Sequence, residues 1–79
     1  MSKIQCLIVE DEPRASQLLS TYIARVPELE LAGICYDAFE AKIYLQKNTV
    51  HLLFLDINLP QMSGIDLAAL LTKDQKIIF

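Results

Sequence analysis

A chain of 79 residues has room for one domain, and at 53% hydrophobic it carries enough apolar material to bury a sheet. A net charge of −3, with its seven Lys and Arg residues scattered rather than clustered, argues against the basic face by which a domain grips nucleic acid. No run reaches the roughly 18 apolar residues of a membrane span, and the N-terminus lacks an apolar stretch ahead of a small-residue cleavage site. The expectation is a soluble, cytoplasmic chain with no membrane partner.

Residues 4–9 end in the continuous apolar run Cys6-Leu7-Ile8-Val9 and predict a strand buried on both faces. Pro13 suits the first turn of the helix that follows. Ala15, Leu18, Leu19, Tyr22, Ile23 and Val26 form one apolar stripe along that helix, and Pro27 closes it. Residues 29–36 predict a second strand; Leu29, Leu31 and Gly33 alternate with Glu30 and Ala32 before the run turns apolar, and this partial alternation fits a sheet edge better than a central position. Asp37 and Glu40 make a capping box for a second helix from Ala38 to about Lys47.

Residues 52–56 predict the third strand. Ser63 and Asp66 form another capping pair, opening a third helix whose inward face is Leu67, Leu70 and Leu71. After a turn at Asp74-Gln75, residues 76–79 start a fourth strand. Alternating strands and helices with right-handed crossovers give a parallel sheet. The apolar end Ile77-Ile78-Phe79 has no turn or polar cap after it, so residues 1–79 are expected to be the front two-thirds of a domain, incomplete at the C-terminus. Cys6 and Cys35 lack metal-ligand spacing and read as small buried hydrophobes of a reducing compartment.

Two of the strands end in acid: Glu10-Asp11 closes the first run and Asp56 the third. As parallel neighbours, their carboxyl ends lie side by side, where open α/β sheets place ligand sites. Three carboxylates a few Å apart cannot all stay ionised unaided, so a bound cation is the natural partner. Mg²⁺ takes oxygen ligands and keeps several waters. Asp11, Asp56 and the backbone carbonyl of Asn58 could supply those oxygens, with Glu10 holding a bound water. Pro60 stiffens the loop after Asp56, and Gly64 lets the backbone pass close to a neighbour.

Glu10-Asp11 after a strand, then Pro13, then Asp56-x-Asn58-x-Pro60-xxx-Gly64, resemble the receiver domain of bacterial two-component response regulators over the whole chain. The wording Leu59-Pro60-Gln61-Met62-Ser63-Gly64-Ile65-Asp66 looks most like receivers that precede a LytTR-type DNA-binding domain. The resemblance implies a flavodoxin-like parallel α/β fold, strand order 2-1-3-4, truncated before a fifth strand. It implies that Asp56 accepts a phosphoryl group from a sensor histidine kinase. Asp11 would bind Mg²⁺ directly, Glu10 through water and Asn58 through its carbonyl, and a DNA-binding output domain in the parent protein would regulate transcription. Receivers catalyse their own phosphorylation and dephosphorylation but are classed as signalling proteins. Family members carry a Ser or Thr at the end of the fourth strand and a Lys at the end of the fifth. This sequence stops before either position.

The plainer readings are structural. Asp56 alone could cap a turn, and Glu10 and Asp11 could be N-terminal helix charges favoured by the macrodipole; the combined pattern carries the functional reading. Glu12 reads as a solvated first-turn charge and His51 as a loop-edge histidine rather than a phosphorelay residue. Tyr22, Tyr36 and Tyr44 read as core or boundary residues with a wet hydroxyl. The rival of a different class is a non-catalytic interaction module that keeps the fold and self-associates through its open sheet edge. A flavin or nucleotide binder would need a Gly-rich loop after the first strand, and Glu10-Asp11-Glu12-Pro13 is its electrostatic opposite.

Overall fold

Strand β1 (Ile4–Val9) forms the middle of the sheet because nothing on it from Cys6 onward tolerates water: Cys6, Leu7, Ile8 and Val9 are all fully buried. Successive side chains point to opposite faces, so both faces must be covered. Each large side chain buried there contributes about 1.5–3 kcal/mol of transfer free energy. The computed structural model describes residues 3–56 and 76–78.

β1 is flanked by β2 (Leu29–Cys35) and β3 (Leu52–Leu55), and β4 (Lys76–Ile78) lies beyond β3. All pairings are parallel, in the order β2-β1-β3-β4. This is the flavodoxin-like receiver arrangement, with the edge position expected for β2. Helix α1 (Pro13–Ala24) leads from β1 to β2, and α2 (Ala38–Lys47) leads from β2 to β3. The expected third helix with Ser63, Asp66, Leu67, Leu70 and Leu71, and the turn at Asp74-Gln75, lie outside the described residues.

The two helices serve opposite faces. Cys6, Ile8, Leu29, Leu31, Ile34, Leu52 and Phe54 gather with Leu19 and Ile23 of α1. Leu7, Val9, Cys35, Leu53 and Leu55 gather with Ala38, Ala41, Tyr44 and Leu45 of α2. Ala38 and Ala41 are small, so α2 can lie close on its face of the sheet. Its N-terminus is held as the sequence predicts: the Asp37 carboxylate accepts the Glu40 N–H at 2.8 Å, and the Glu40 carboxylate accepts the Tyr36 N–H at 2.8 Å.

Two expectations need correction. The apolar stripe of α1 is only partly inward: Leu19 and Ile23 reach the core, whereas Leu18, Tyr22 and Val26 are exposed. The period of the stripe does not decide which of its positions are covered; that depends on what packs against the helix. The simple alternation along β2 also fails. Its register against β1 slips between Cys6 and Leu7, which pair with Leu31 and Gly33, leaving Ala32 as an extra residue. That bulge re-phases the strand. Leu29 and Leu31 face α1, yet Ile34 three residues on from Leu31 faces α1 as well, and Gly33 turns to α2.

Candidate functional site

The acidic residues stand where the ladders of the sheet run out. Val9 is paired with Cys35 on one side and Leu55 on the other. One residue further, the Glu10 N–H donates to the Cys35 carbonyl at 2.9 Å, and the Asp56 N–H donates to the Val9 carbonyl at 3.0 Å. These last rungs fix the backbones of Glu10 and Asp56 beside each other at the carboxyl edge, as parallel pairing of two acid-ended strands predicts.

One oxygen from each of Glu10, Asp11 and Asp56 lies within 4.8 Å of the others. Glu10 and Asp56 are half-buried and Asp11 is exposed. Such crowding opposes full ionisation. The Glu10 carboxyl is held above its ordinary range, first by burial and then by the proton and charge it shares with Asp56; Asp11 pushes the same way. The N–H of Glu12 opposes them, donating to Glu10 Oε2 at 3.2 Å.

That contact gives Glu12 a role the sequence reading missed. It is neither a ligand nor a loose first-turn charge but the N-cap of α1, its carboxylate accepting the Arg14 N–H at 3.3 Å with Pro13 in the first turn behind it. Neither Glu10 nor Asp11 caps the helix, so both carboxylates remain directed to the cluster. An acidic residue immediately before a first-turn proline is the signal that marks this cap. Asn58, Pro60 and Gly64 lie outside the described residues.

A cleft of about 490 Å³ adjoins the acids, lined by Val9, Glu10, Leu19, Phe54, Leu55, Asp56 and Ile78. His51 lies at the opposite end of β3. Its backbone N–H donates to the Gln5 carbonyl at 2.9 Å and its ring Nδ1 accepts the Gln5 N–H at 2.9 Å, so it ties strands together far from the chemistry.

A parallel α/β sheet with an acidic trio at its carboxyl edge defines a class of proteins that handle charged ligands there. The chain belongs to the response regulator receiver domain family, whose model matches residues 6–79. It is 40% identical over 78 residues to a response regulatory protein of Shewanella oneidensis that is itself uncharacterized, covering 96% of this chain and 33% of the relative. It is 33% identical to the transcriptional regulatory protein BtsR of Escherichia coli, covering 92% of this chain and 30% of BtsR. The chain thus spans about a third of the length of these curated relatives.

Among solved structures, the response regulatory domain of MrkE from Klebsiella pneumoniae superposes with a TM-score of 0.87 at 35% identity, over 96% of this chain and 65% of that one. The response regulator TrrA of Thermotoga maritima, in complex with Mg²⁺ and BeF, gives 0.86 at 29% identity, over 96% and 67%. TrrA in complex with the histidine kinase ThkA gives 0.75 at 29% identity, over 94% and 65%. No helix among the described residues is long and apolar enough to cross a membrane.

Proposed function

We propose that this chain is a phosphoacceptor receiver, in which Asp56 takes a phosphoryl group from the phosphohistidine of a sensor histidine kinase. The observation that carries the reading is the convergence of Glu10, Asp11 and Asp56 at the carboxyl edge of the sheet. The donor set suits Mg²⁺, being anionic and all-oxygen. Asp11 and Asp56 would hold the ion directly, Glu10 through water, and Asn58 through its backbone carbonyl. Pro60 and Gly64 would shape the loop that presents Asn58. When bound, the ion offsets repulsion between an anionic nucleophile and an anionic donor.

Asp56 supplies the nucleophile. One of its carboxylate oxygens attacks phosphorus, the new O–P bond forms as the P–N bond to the donor imidazole breaks, and the imidazole leaves with that electron pair. Its backbone N–H, seated on the Val9 carbonyl, fixes the main chain from which the carboxylate projects. Later hydrolysis of the acyl phosphate resets the domain. The phosphoryl group itself carries roughly −1.5 to −2 units of charge but masks the single negative charge of the Asp56 carboxylate. The site therefore gains about one negative charge and new acceptor oxygens, enough to bias a two-state loop.

Support for a kinase partner comes from TrrA, a relative solved with its histidine kinase. Helix α1 starts at the acidic loop and turns Leu18 (53% exposed) and Tyr22 (52%) outward, an apolar face suited to docking a partner. In a parent of BtsR's length, a C-terminal DNA-binding domain would turn phosphorylation into transcriptional control.

The test is intact-mass analysis of the full-length protein after incubation with acetyl phosphate and Mg²⁺. One added phosphoryl group is expected, lost on chelation and in Asp56→Asn. Labelling that persists in Asp56→Asn, or no labelling of the wild type, overturns the assignment.

A further inference from the structure

Helix α2 carries a second surface, away from the acidic site. Phe39 is 67% exposed, the highest of the exposed large hydrophobics among the described residues, and Ile43 one turn on is also exposed. A groove of about 320 Å³ runs along the same helix, lined by Cys35, Glu40, Ile43, Tyr44, Lys47 and Asn48. Glu40 and Lys47 are two helical turns apart on one flank, with Ile43 between them. The flank therefore reads acid, apolar, base along the helix axis.

This order matches its own reverse. When two copies of α2 lie antiparallel about a two-fold axis beside Ile43, Glu40 of each copy faces Lys47 of the other. Phe39 of each falls beside the Lys47 stem and Asn48 of the other, and the two Ile43 side chains meet near the axis. Such an interface is isologous, each copy giving a knob and receiving one. The helix dipoles also oppose head to tail. A parallel arrangement would set Glu40 against Glu40 and Lys47 against Lys47.

We propose that the groove and ridge of α2 form a homodimer contact, with a second copy of this chain as the occupant. Glu40 is already tied to the Tyr36 N–H and so is held in place for pairing. With a single helix pair at its centre, the interface belongs to the small, transient class.

Sedimentation equilibrium over a concentration series tests the proposal. The wild type is expected to dimerise weakly and reversibly, and Phe39→Lys to weaken association by at least about tenfold. Phe39 is exposed, so this variant should keep the fold, as far-UV circular dichroism would verify. The antiparallel geometry has its own readout. Lys47→Glu alone and Glu40→Lys alone should be monomeric, a loss that only the antiparallel register predicts because a parallel pair already sets like charges together in the wild type. Their equimolar mixture should associate again, because each acid then meets a base. A wild type that stays monomeric at every concentration overturns the proposal. So does association that survives Phe39→Lys but is lost in Ile78→Lys, which would place the contact at the β4 side of the sheet. A folded but monomeric mixture rejects the antiparallel register.

Discussion

The ring of Tyr44 lies over Gly33: a Cβ placed on Gly33 would come within 3.2 Å of Tyr44 Cε2. The Tyr44 hydroxyl donates to the carbonyl of Ala32, the extra residue of the bulge, at 3.1 Å. One tyrosine thus pins α2 to the irregularity that re-phases β2.

Gly33→Ala should therefore destabilise the domain by about 1 kcal/mol, because the ring can yield only by stretching its hydrogen bond. In a Tyr44→Ala background the same change should be neutral or stabilising by about 0.5 kcal/mol, since alanine restricts the unfolded chain and nothing opposes its methyl. A double-mutant cycle from urea unfolding measures the coupling. Equal costs in both backgrounds would mean the ring does not confine Gly33.

The sheet was legible because Cys6-Leu7-Ile8-Val9 and Leu52-Leu53-Phe54-Leu55 are apolar without interruption and too short for a buried helix, which leaves a strand covered on both faces. The acidic trio was legible for the same reason: acids directly after such strands have one edge to occupy. The bulge was not. Period-2 alternation through Leu29, Leu31 and Gly33 is self-consistent, and nothing local shows that Ile34 must join Leu31's face to meet α1. Glu12 was misjudged because composition favours acids in a first turn whether they cap or not. The outward turn of Leu18 and Tyr22 depends on how wide an arc the sheet offers α1, which is a tertiary property.

Burial raises the Cys35 thiol to about 11, aided by the negative charges of Glu40 and Asp37. Relative to the ordinary value of 9.0, the thiolate population at pH 8 falls about a hundredfold. Native chain should resist iodoacetamide at Cys35, and modification should track unfolding across a denaturant series. The sign for stability follows. A folded value above the unfolded one favours the fold below pH 9, and this contribution is lost as pH rises from about 9 to 11. Rapid native-state alkylation at pH 8 would contradict this burial.

A substitution at Leu18 would separate the proposed kinase docking from the proposed phosphoryl chemistry. Its side chain is exposed on α1 and makes no part of the acidic trio. In the full-length protein, Leu18→Lys should slow transfer from the cognate phosphorylated kinase by about tenfold or more, the loss expected for one central apolar contact. Labelling by acetyl phosphate should be unchanged, because a small donor needs only the site itself. Parallel time courses with the two donors decide it; equal slowing with both would place the effect at the site instead.

Under the proposed Mg²⁺ site, Glu10 would aid metal binding at a cost to the metal-free fold. Its carboxyl titrates above the ordinary 4.5 through burial, the proton and charge shared with Asp56, and the nearness of Asp11. A raised folded value means that the folded chain holds this proton more tightly than the unfolded chain. Stability is then highest below pH 4.5 as far as Glu10 is concerned, and it declines as pH rises from 4.5 through the raised value. Other carboxylates add their own slopes, so the readout is the difference between wild type and Glu10→Gln. Metal-free Glu10→Gln should melt higher than wild type near pH 7.5, and the gap should close as the pH falls toward 4.5. Added Mg²⁺ should stabilise wild type more than the variant, because glutamine removes a charge that the ion compensates. Thermal melts of both chains at several pH values, with and without Mg²⁺, give all three comparisons. A variant that melts lower than wild type without metal would show that Glu10 stabilises the loop by its hydrogen bond from Glu12 more than it destabilises it by charge.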